Sequence, residues 1–370
     1  MNAERLHAIV AALNAELKSS GVISYLDQLV ASLQNQVSQP AHPPYEQLTA
    51  QAYSQLLEAL RRTELNRFNP TYQQVLEELG ASAIIGDELA LTVESIFGRN
   101  TITPTIAHQE LSQIQARLHS LQAAIDQLIA AYGTLGIGKE DLPAGDCELA
   151  VLVPRAFVDN KLERFGEELE ELNRIFGVFA ELATGERPGF TIKNISSSDL
   201  SVYLELAAVI GACVATAVER IIALYKSLLE IRKLQGELAE KGVEKENLKG
   251  LEDHANGIMD KGIEVLIGDL IQEFCQSVDN GRKNELSIEL KYSLKKIANR
   301  IDRGFNIEVR MQAPPPVPDA DSEPQQQGKT IGSLYAKIQT AARTMQFLKL
   351  EGPPILSLET NNSRTDEKKA

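Results

Sequence analysis

The chain has 370 residues, and its 37 lysines and arginines against 51 aspartates and glutamates give a net charge of −14 at neutral pH. This length is enough for a substantial core and usually for more than one sub-domain. The acidic balance argues against a nucleic-acid or anionic-membrane surface across the whole molecule, but it allows a local basic patch.

Three cysteines, Cys147, Cys213 and Cys275, lie far apart in the sequence and include no C-x-x-C pair. Their odd number and their spacing favour reduced thiols over a disulfide framework or a metal site. The N-terminal stretch is an amphipathic helix interrupted by charges rather than a signal peptide, so the expected location is the cytoplasm.

Residues 1–100 are predicted to be a helical region, and residues 101–145 a long amphipathic helix followed by a loop. Such a long apolar stripe must pack lengthwise on a partner helix. The periodicity does not decide whether that helix belongs to this chain or to another copy. The stripe recurs at near-heptad spacing and consists of Ile106, Leu111, Ile114, Leu118, Leu121, Ile125 and Leu128.

Residues 146–312 are predicted to form an α+β core. Four short segments alternate in polarity or are rich in β-forming residues, and they begin near residues 147, 190, 200 and 305. Residues 196–199 have the composition of a turn between the second and third segments. The fold class is therefore mainly α (α+β), with long packed helices and one small, mostly antiparallel sheet.

An uncharged stretch, residues 206–218, lies inside a predicted helix that spans residues 207–236. As a helix this stretch rises about 20 Å, whereas a hydrocarbon core of about 30 Å needs about 20 residues. We therefore expect protein rather than lipid to enclose it. Ala207, Gly211 and Ala215 form a small-residue ridge on this helix, which is a candidate helix-packing or oligomer contact.

The amino-acid composition divides the C-terminal part of the chain into three predicted regions. Residues 313–330 are proline-rich and are predicted to be a flexible linker. Residues 331–358 are predicted to form a helix followed by short strands around Pro353 and Pro354, and residues 359–370 a disordered tail.

No motif predicts a catalytic residue, a metal site or a cofactor. Gly133, Gly138 and Lys139 have the spacing of a phosphate-binding loop, but a helix precedes them and Glu140 replaces the required serine or threonine. Residues 302, 308 and 310 loosely resemble a D…E-x-K nuclease core, for which structural ion pairing is the favoured explanation. The histidines show no metal-binding spacing.

Residues 282–310 carry eight cations against four carboxylates within this acidic chain. Such a segment is able to bind nucleic acid or an acidic partner, or to dock on the chain's own acidic helix. The candidate basic patch consists of Lys291, Lys295, Lys296, Arg300 and Arg303.

The leading hypothesis is a non-enzymatic interaction or scaffold protein of a bacterial cytoplasm, which self-associates through its long helices as coiled coils do. One alternative is a membrane-acting, pore-type effector that releases residues 206–218 on a trigger. Another is a nucleic-acid-associated factor that uses residues 282–310. A protein partner or a second copy is expected, a membrane is allowed but not favoured, and nucleic acid is disfavoured.

Overall fold

The computed structural model describes residues 3–39, 43–68, 70–100, 103–140, 142–196, 200–275, 279–314, 323–344, 348 and 350–358. The chain divides into two compact units, Met1–Asp141 and Leu142–Ala370, here called the N-terminal and C-terminal units. Within the described residues there are 12 α-helices and one sheet of four antiparallel strands. The predicted fold class, mainly α with one small sheet, is confirmed.

The N-terminal unit contains helices and short connections, and no strand occurs in its described residues. The first two helices are separated at Gly21, whose φ of 69° lies in the left-handed region that glycine adopts without steric cost. Short 3₁₀ turns at Glu64–Arg67 and Ser82–Ile84 connect later helices. The helices are α1 (Ala3–Ser19), α2 (Val22–Ser38), α3 (Pro43–Arg62), α4 (Pro70–Glu78), α5 (Gly86–Arg99) and α6 (Pro104–Leu135).

The long helix α6 finds its packing partners, α1 and α2, inside the N-terminal unit. Asp27 of α2 accepts hydrogen bonds from Gln115 at 2.7 Å and from His119 at 2.8 Å. Farther along α6, Asp126 pairs with Lys18 of α1 at 2.8 Å. The buried positions keep the predicted heptad spacing, and they are Ala107, Leu111, Leu118, Ile125 and Tyr132.

The C-terminal unit contains the sheet, with strand order β2-β3-β1-β4, and the remaining helices. All four predicted strands are present, while residues 197–199 of the predicted turn lie outside the described residues. The elements are β1 (Cys147–Leu152), α7 (Leu162–Thr184), β2 (Thr191–Ile195), β3 (Ser201–Leu206), α8 (Ala208–Lys226), α9 (Leu229–Glu240), α10 (Lys245–Phe274), α11 (Asn280–Asp302), β4 (Asn306–Met311) and α12 (Glu323–Thr344).

Two predicted helix boundaries are wrong. The helix predicted over 207–236 is divided into α8 and α9 at Ser227, whose hydroxyl donates to the carbonyl of Leu224 at 2.6 Å and so competes with the helical ladder. Helix α12 begins at Glu323, inside the predicted linker 313–330, because Pro324 is accommodated in the first turn of a helix.

The short strands predicted after α12 are also absent from the described residues. The described residues 350–358 contain no strand, although short strands were predicted there, because Pro353 and Pro354 remove two donors from any strand ladder. The predicted tail 359–370 lies outside the described residues.

Helix α8 forms the centre of the C-terminal unit. Strands β1 and β4 and helices α7, α10, α11 and α12 pack around it. Among the described helices, only α8 is long and apolar enough to span a membrane by length and composition, with a mean hydropathy of 1.7. Because Ala212, Val214 and Val218 are fully buried in the protein core, the arrangement is compatible with a soluble protein.

The small-residue ridge packs against the sheet of the same chain. A Cβ atom added at Gly211 would overlap the Sγ of Cys147 in β1 and would lie 3.4 Å from Val309 in β4. Ala215 is fully buried, whereas Ala207 is exposed and precedes α8. The ridge therefore allows a close approach of helix to sheet, and its two buried positions are not available to another copy.

Substituting Gly211 with alanine should lower the free energy of unfolding by about 1–3 kcal/mol, because the new methyl group overpacks the helix–sheet contact. Urea denaturation measures the effect. The matched control is Gly257→Ala in α10, which has open space around it and should gain up to about 1 kcal/mol of helix propensity. Adding Cys147→Ala to Gly211→Ala should recover part of the lost stability, because it removes the sulfur that the new methyl group meets. A double variant that is no more stable than Gly211→Ala alone would contradict the close contact between Gly211 and Cys147.

Cys147 and Cys213 should resist maleimide in the native protein, whereas the half-buried Cys275 should react faster. Burial raises the pKa of the Cys147 thiol to about 12 and also raises the pKa of Cys213, so neither supplies the reactive thiolate. Counting adducts by intact mass tests this, with protein unfolded in guanidinium as the control that labels all three. Rapid native labelling of Cys213 would show that α8 is not enclosed.

Candidate functional site

The predicted basic patch is largely neutralised inside the C-terminal unit. Helices α7 and α10 supply the acidic partners, so the cations of α11 dock on the chain's own carboxylates. Four of the five residues are paired in this way: Lys291 with Glu264, Lys295 with Asp260, Lys296 with Glu171 and Arg300 with Glu168.

Arg303 is the exception within the patch. Its side chain is exposed, and its guanidinium lies 5.7 Å from the centre of the Phe157 ring, a cation–π contact. Within the part of the chain that the structure describes, no carboxylate pairs with it. A positive charge thus lies on the Phe157 ring with no paired carboxylate among the residues that the structure describes.

The other residues singled out in the sequence do not assemble into a reactive site. Arg310 pairs with Glu148 of the neighbouring strand at 2.8 Å, while Asp302 lies in a separate polar network. Lys139 follows the end of α6, and no helix begins among residues 136–140 and 142–161 to complete a phosphate-binding loop. No group of three or more metal-ligating side chains occurs in the described residues.

A cleft of about 760 Å³ opens beside Arg303 in the C-terminal unit. Five parts of the chain line it: the loop after β1, helix α7, helix α9, the turn between α11 and β4, and residues 350–358, which we call the C-terminal segment. The lining side chains combine apolar and charged groups: Ala156, Phe157, Val158, Arg164, Glu167, Glu168, Arg232, Arg303, Gly304, Leu350 and Pro354.

Two buried ion pairs reach the wall of this cleft. The first joins Arg300 to Glu168 through two hydrogen bonds of 2.6 and 2.8 Å, a bidentate geometry that satisfies both carboxylate oxygens. The guanidinium of Arg300 also lies 6.0 Å from the ring centre of Phe157 and 5.8 Å from that of Phe305. These contacts fix the aromatic ring on which Arg303 rests.

The second pair joins Arg232 to Asp302, whose carboxylate is completely buried. Asp302 Oδ1 accepts from Arg232 at 2.8 Å and from the Tyr225 hydroxyl at 2.5 Å. Burial raises the pKa of Tyr225, and the adjacent Asp302 carboxylate raises it further, so the phenol keeps the proton that it donates. Burial also raises the pKa of Asp302, against the opposing effect of these donors.

The C-terminal segment completes this network. The backbone amides of Ile355 and Leu356 donate to Asp302 Oδ2 at 2.9 and 2.8 Å. Arg232 in turn donates to the carbonyls of Glu351 at 3.0 Å and Gly352 at 2.7 Å. The segment is therefore held by side chains that form hydrogen bonds with its backbone.

Sequence reasoning did not find this network. Arg232 and Asp302 lie 70 positions apart, and charged residues on an amphipathic helix are normally solvated. The one available signal was Gly352–Pro353–Pro354 before an apolar run, which indicates an extended segment that cannot pair as a strand.

Removing the Glu168 charge with Glu168→Gln should lower the free energy of unfolding by about 3–5 kcal/mol, because Arg300 then lies buried without its counter-ion. The matched control is Glu264→Gln, at an exposed pair with Lys291, which should leave the free energy of unfolding almost unchanged because solvent screens the pair. Urea denaturation of both variants provides the comparison. Equal small losses would show that the Arg300 pair is solvated rather than buried.

Comparison with known proteins supplies no family for this chain. No family model matches it, and neither a curated protein nor a solved structure is similar to it. The function of the cleft is therefore inferred from the chemistry of its own side chains.

Proposed function

We propose that the chain is a non-enzymatic interaction protein of the cytoplasm, which uses the cleft of its C-terminal unit to bind an acidic segment of a partner protein. The observation that carries the proposal is Arg303, a cation positioned on an aromatic ring at the cleft and left without an internal counter-charge among the described residues. The four neighbouring cations of the patch are already used by the fold.

The side chains of the cleft suit a ligand that carries both an acidic group and apolar surface. Arginine presents planar donors that match a carboxylate, and its stacking on Phe157 limits the entropy lost when it binds one. Leu350 and Pro354 offer apolar surface for the body of the ligand. Glu167 also lines the cleft and is exposed, so it disfavours a uniformly anionic ligand and favours one acidic group beside uncharged residues.

The cytoplasmic location is supported by the cysteines. All three are free thiols, and Cys147 and Cys213 lie inside the core. A protein of an oxidising compartment more often uses such residues in disulfides.

The surfaces invoked by the other hypotheses are occupied within the chain. The apolar stripe of α6 packs on α1 and α2, and Gly211 packs on the sheet, so these two surfaces do not support self-association through long helices. Residues 206–218, needed by a membrane-acting effector, are mostly enclosed in the core. The paired cations of α11 reduce the charge available to nucleic acid.

Binding of defined peptides tests the proposal. A set of fluorescein-labelled heptapeptides, each with one aspartate or glutamate beside leucine or phenylalanine, is titrated with full-length protein and followed by fluorescence anisotropy. We expect the acidic peptides to bind and Arg303→Ala to weaken binding at least about 10-fold, which corresponds to about 1.4 kcal/mol. Arg303→Lys should retain only part of the affinity, because it loses the planar donors.

The matched control is Arg117→Ala, which removes an exposed arginine from α6 in the N-terminal unit and should leave binding unchanged. Matched peptides with glutamine in place of glutamate should bind more weakly. The proposal fails if no peptide binds, or if Arg303→Ala and Arg117→Ala behave alike.

A further inference from the structure

The cleft keeps an excess of positive charge after its internal ion pairs are taken into account. Its charged lining residues are Arg164, Glu167, Glu168, Arg232 and Arg303. Arg300 neutralises Glu168, and Asp302 neutralises Arg232, in both cases inside the protein. The other three side chains are exposed, so two arginines and one carboxylate face the ligand.

We infer that the acidic group recognised by the cleft is a phosphorylated serine or threonine of the partner, and that Arg164 and Arg303 bind it together. The inference rests on the proposed function and names the class of its ligand. A carboxylate has one charge and two oxygens, which a single arginine satisfies in a bidentate pair. A phosphorylated side chain carries a charge of about −1.5 to −2 and three acceptor oxygens, so it uses a second guanidinium.

Arg164 is available to a ligand because its internal ion pair is weak. Among the described residues, its one ion pair is a single contact of 3.2 Å with Asp159. The two side chains are 54% and 49% exposed, so solvent screens their attraction. A phosphate, which carries more charge than the Asp159 carboxylate, is therefore able to replace it.

The loop after β1 carries both Asp159 and Phe157, the ring beneath Arg303. Asp159 and Asn160 have φ values of 49° and 53°, in the left-handed region that aspartate and asparagine adopt more readily than most other residues. This turn places Asp159 beside Arg164 at the start of α7. One short loop thus contacts both arginines that we assign to the phosphate.

The rest of the cleft suits a peptide better than a free phosphate or a lipid headgroup. Its volume of about 760 Å³ lies in the range of sites that enclose a whole organic ligand. Leu350 and Pro354 add apolar surface, for which inorganic phosphate has no matching group. The net charge of −14 disfavours approach to an anionic membrane.

Three heptapeptides that differ at one position test the inference. That position is phosphoserine, glutamate or serine, and leucine and phenylalanine are present in all three. Each fluorescein-labelled peptide is titrated with full-length protein and followed by fluorescence anisotropy. We expect the phosphoserine peptide to bind at least about 10-fold more tightly than the glutamate peptide, and the serine peptide to bind most weakly.

Variants of the two arginines separate their contributions. Arg164→Ala should weaken binding of the phosphoserine peptide about 10-fold and that of the glutamate peptide less than about 2-fold, because only phosphate uses the second guanidinium. Arg303→Ala should weaken binding of both peptides. The matched control is Arg174→Ala, at an exposed arginine farther along α7 that does not line the cleft, and it should change neither affinity.

Asp159→Asn tests whether Asp159 competes with the ligand. Asparagine keeps the preference for the left-handed backbone but removes the charge, so this variant should strengthen binding of the phosphoserine peptide by about 2-fold. The gain should disappear when Arg164→Ala is also present. Circular dichroism establishes that all of these variants are folded.

Two competitors distinguish the possible sources of phosphate. Inorganic phosphate should displace the phosphoserine peptide only at concentrations far above that of the peptide, because it lacks the apolar contacts. Vesicles of phosphatidylcholine with phosphatidic acid should not displace it. Displacement by these vesicles would assign the site to a lipid headgroup and overturn the inference.

The inference is also overturned if the phosphoserine and glutamate peptides bind equally well, or if Arg164→Ala leaves the difference between them unchanged. In both cases, loss of glutamate-peptide binding in Arg303→Ala still supports the proposed function. A different result contradicts the proposed function and the inference together: no peptide binds, or Arg303→Ala behaves like Arg174→Ala.

Discussion

The buried carboxylate of Asp302 is the constraint on which the C-terminal unit depends. It lies at the end of α11 and accepts hydrogen bonds from α8, α9 and the C-terminal segment, through Tyr225, Arg232 and two backbone amides. A charge without water is stable only when its partners are all present. Four separate parts of the chain must therefore reach their places together, which gives this network a role in specifying the fold.

Apolar periodicity predicted the elements of this fold well. The four strands, the long helix α6 and the enclosed helix α8 all follow from local patterns, because burial imposes a period of 2 or 3.6 on the residues of one face. The same patterns do not identify the element on which each apolar face packs. The stripe of α6 and the ridge at Gly211 were equally compatible with a partner in this chain or in another copy, and both pack within the chain.

The candidate site was much less predictable. A sum of charges over residues 282–310 indicated a basic surface, but a sum along the sequence does not include the carboxylates that α7 and α10 bring to α11. Of the predicted patch, only Arg303 has no ion pair among the described residues, where it lies instead on the Phe157 ring. The Arg232 and Asp302 pair depends on contacts across 70 positions, for which a single sequence holds no local signal.

The sequence positions of this network also set the order in which the two units form during synthesis. All of the N-terminal unit precedes residue 142, so its contacts are available as soon as that part leaves the ribosome. Asp302 must wait for amides that follow it by 53 and 54 positions, and β1 must wait for β4. While translation continues, the first unit can fold with its own core, whereas Asp302 in the second unit lacks two of its hydrogen-bond donors until residues 355 and 356 emerge.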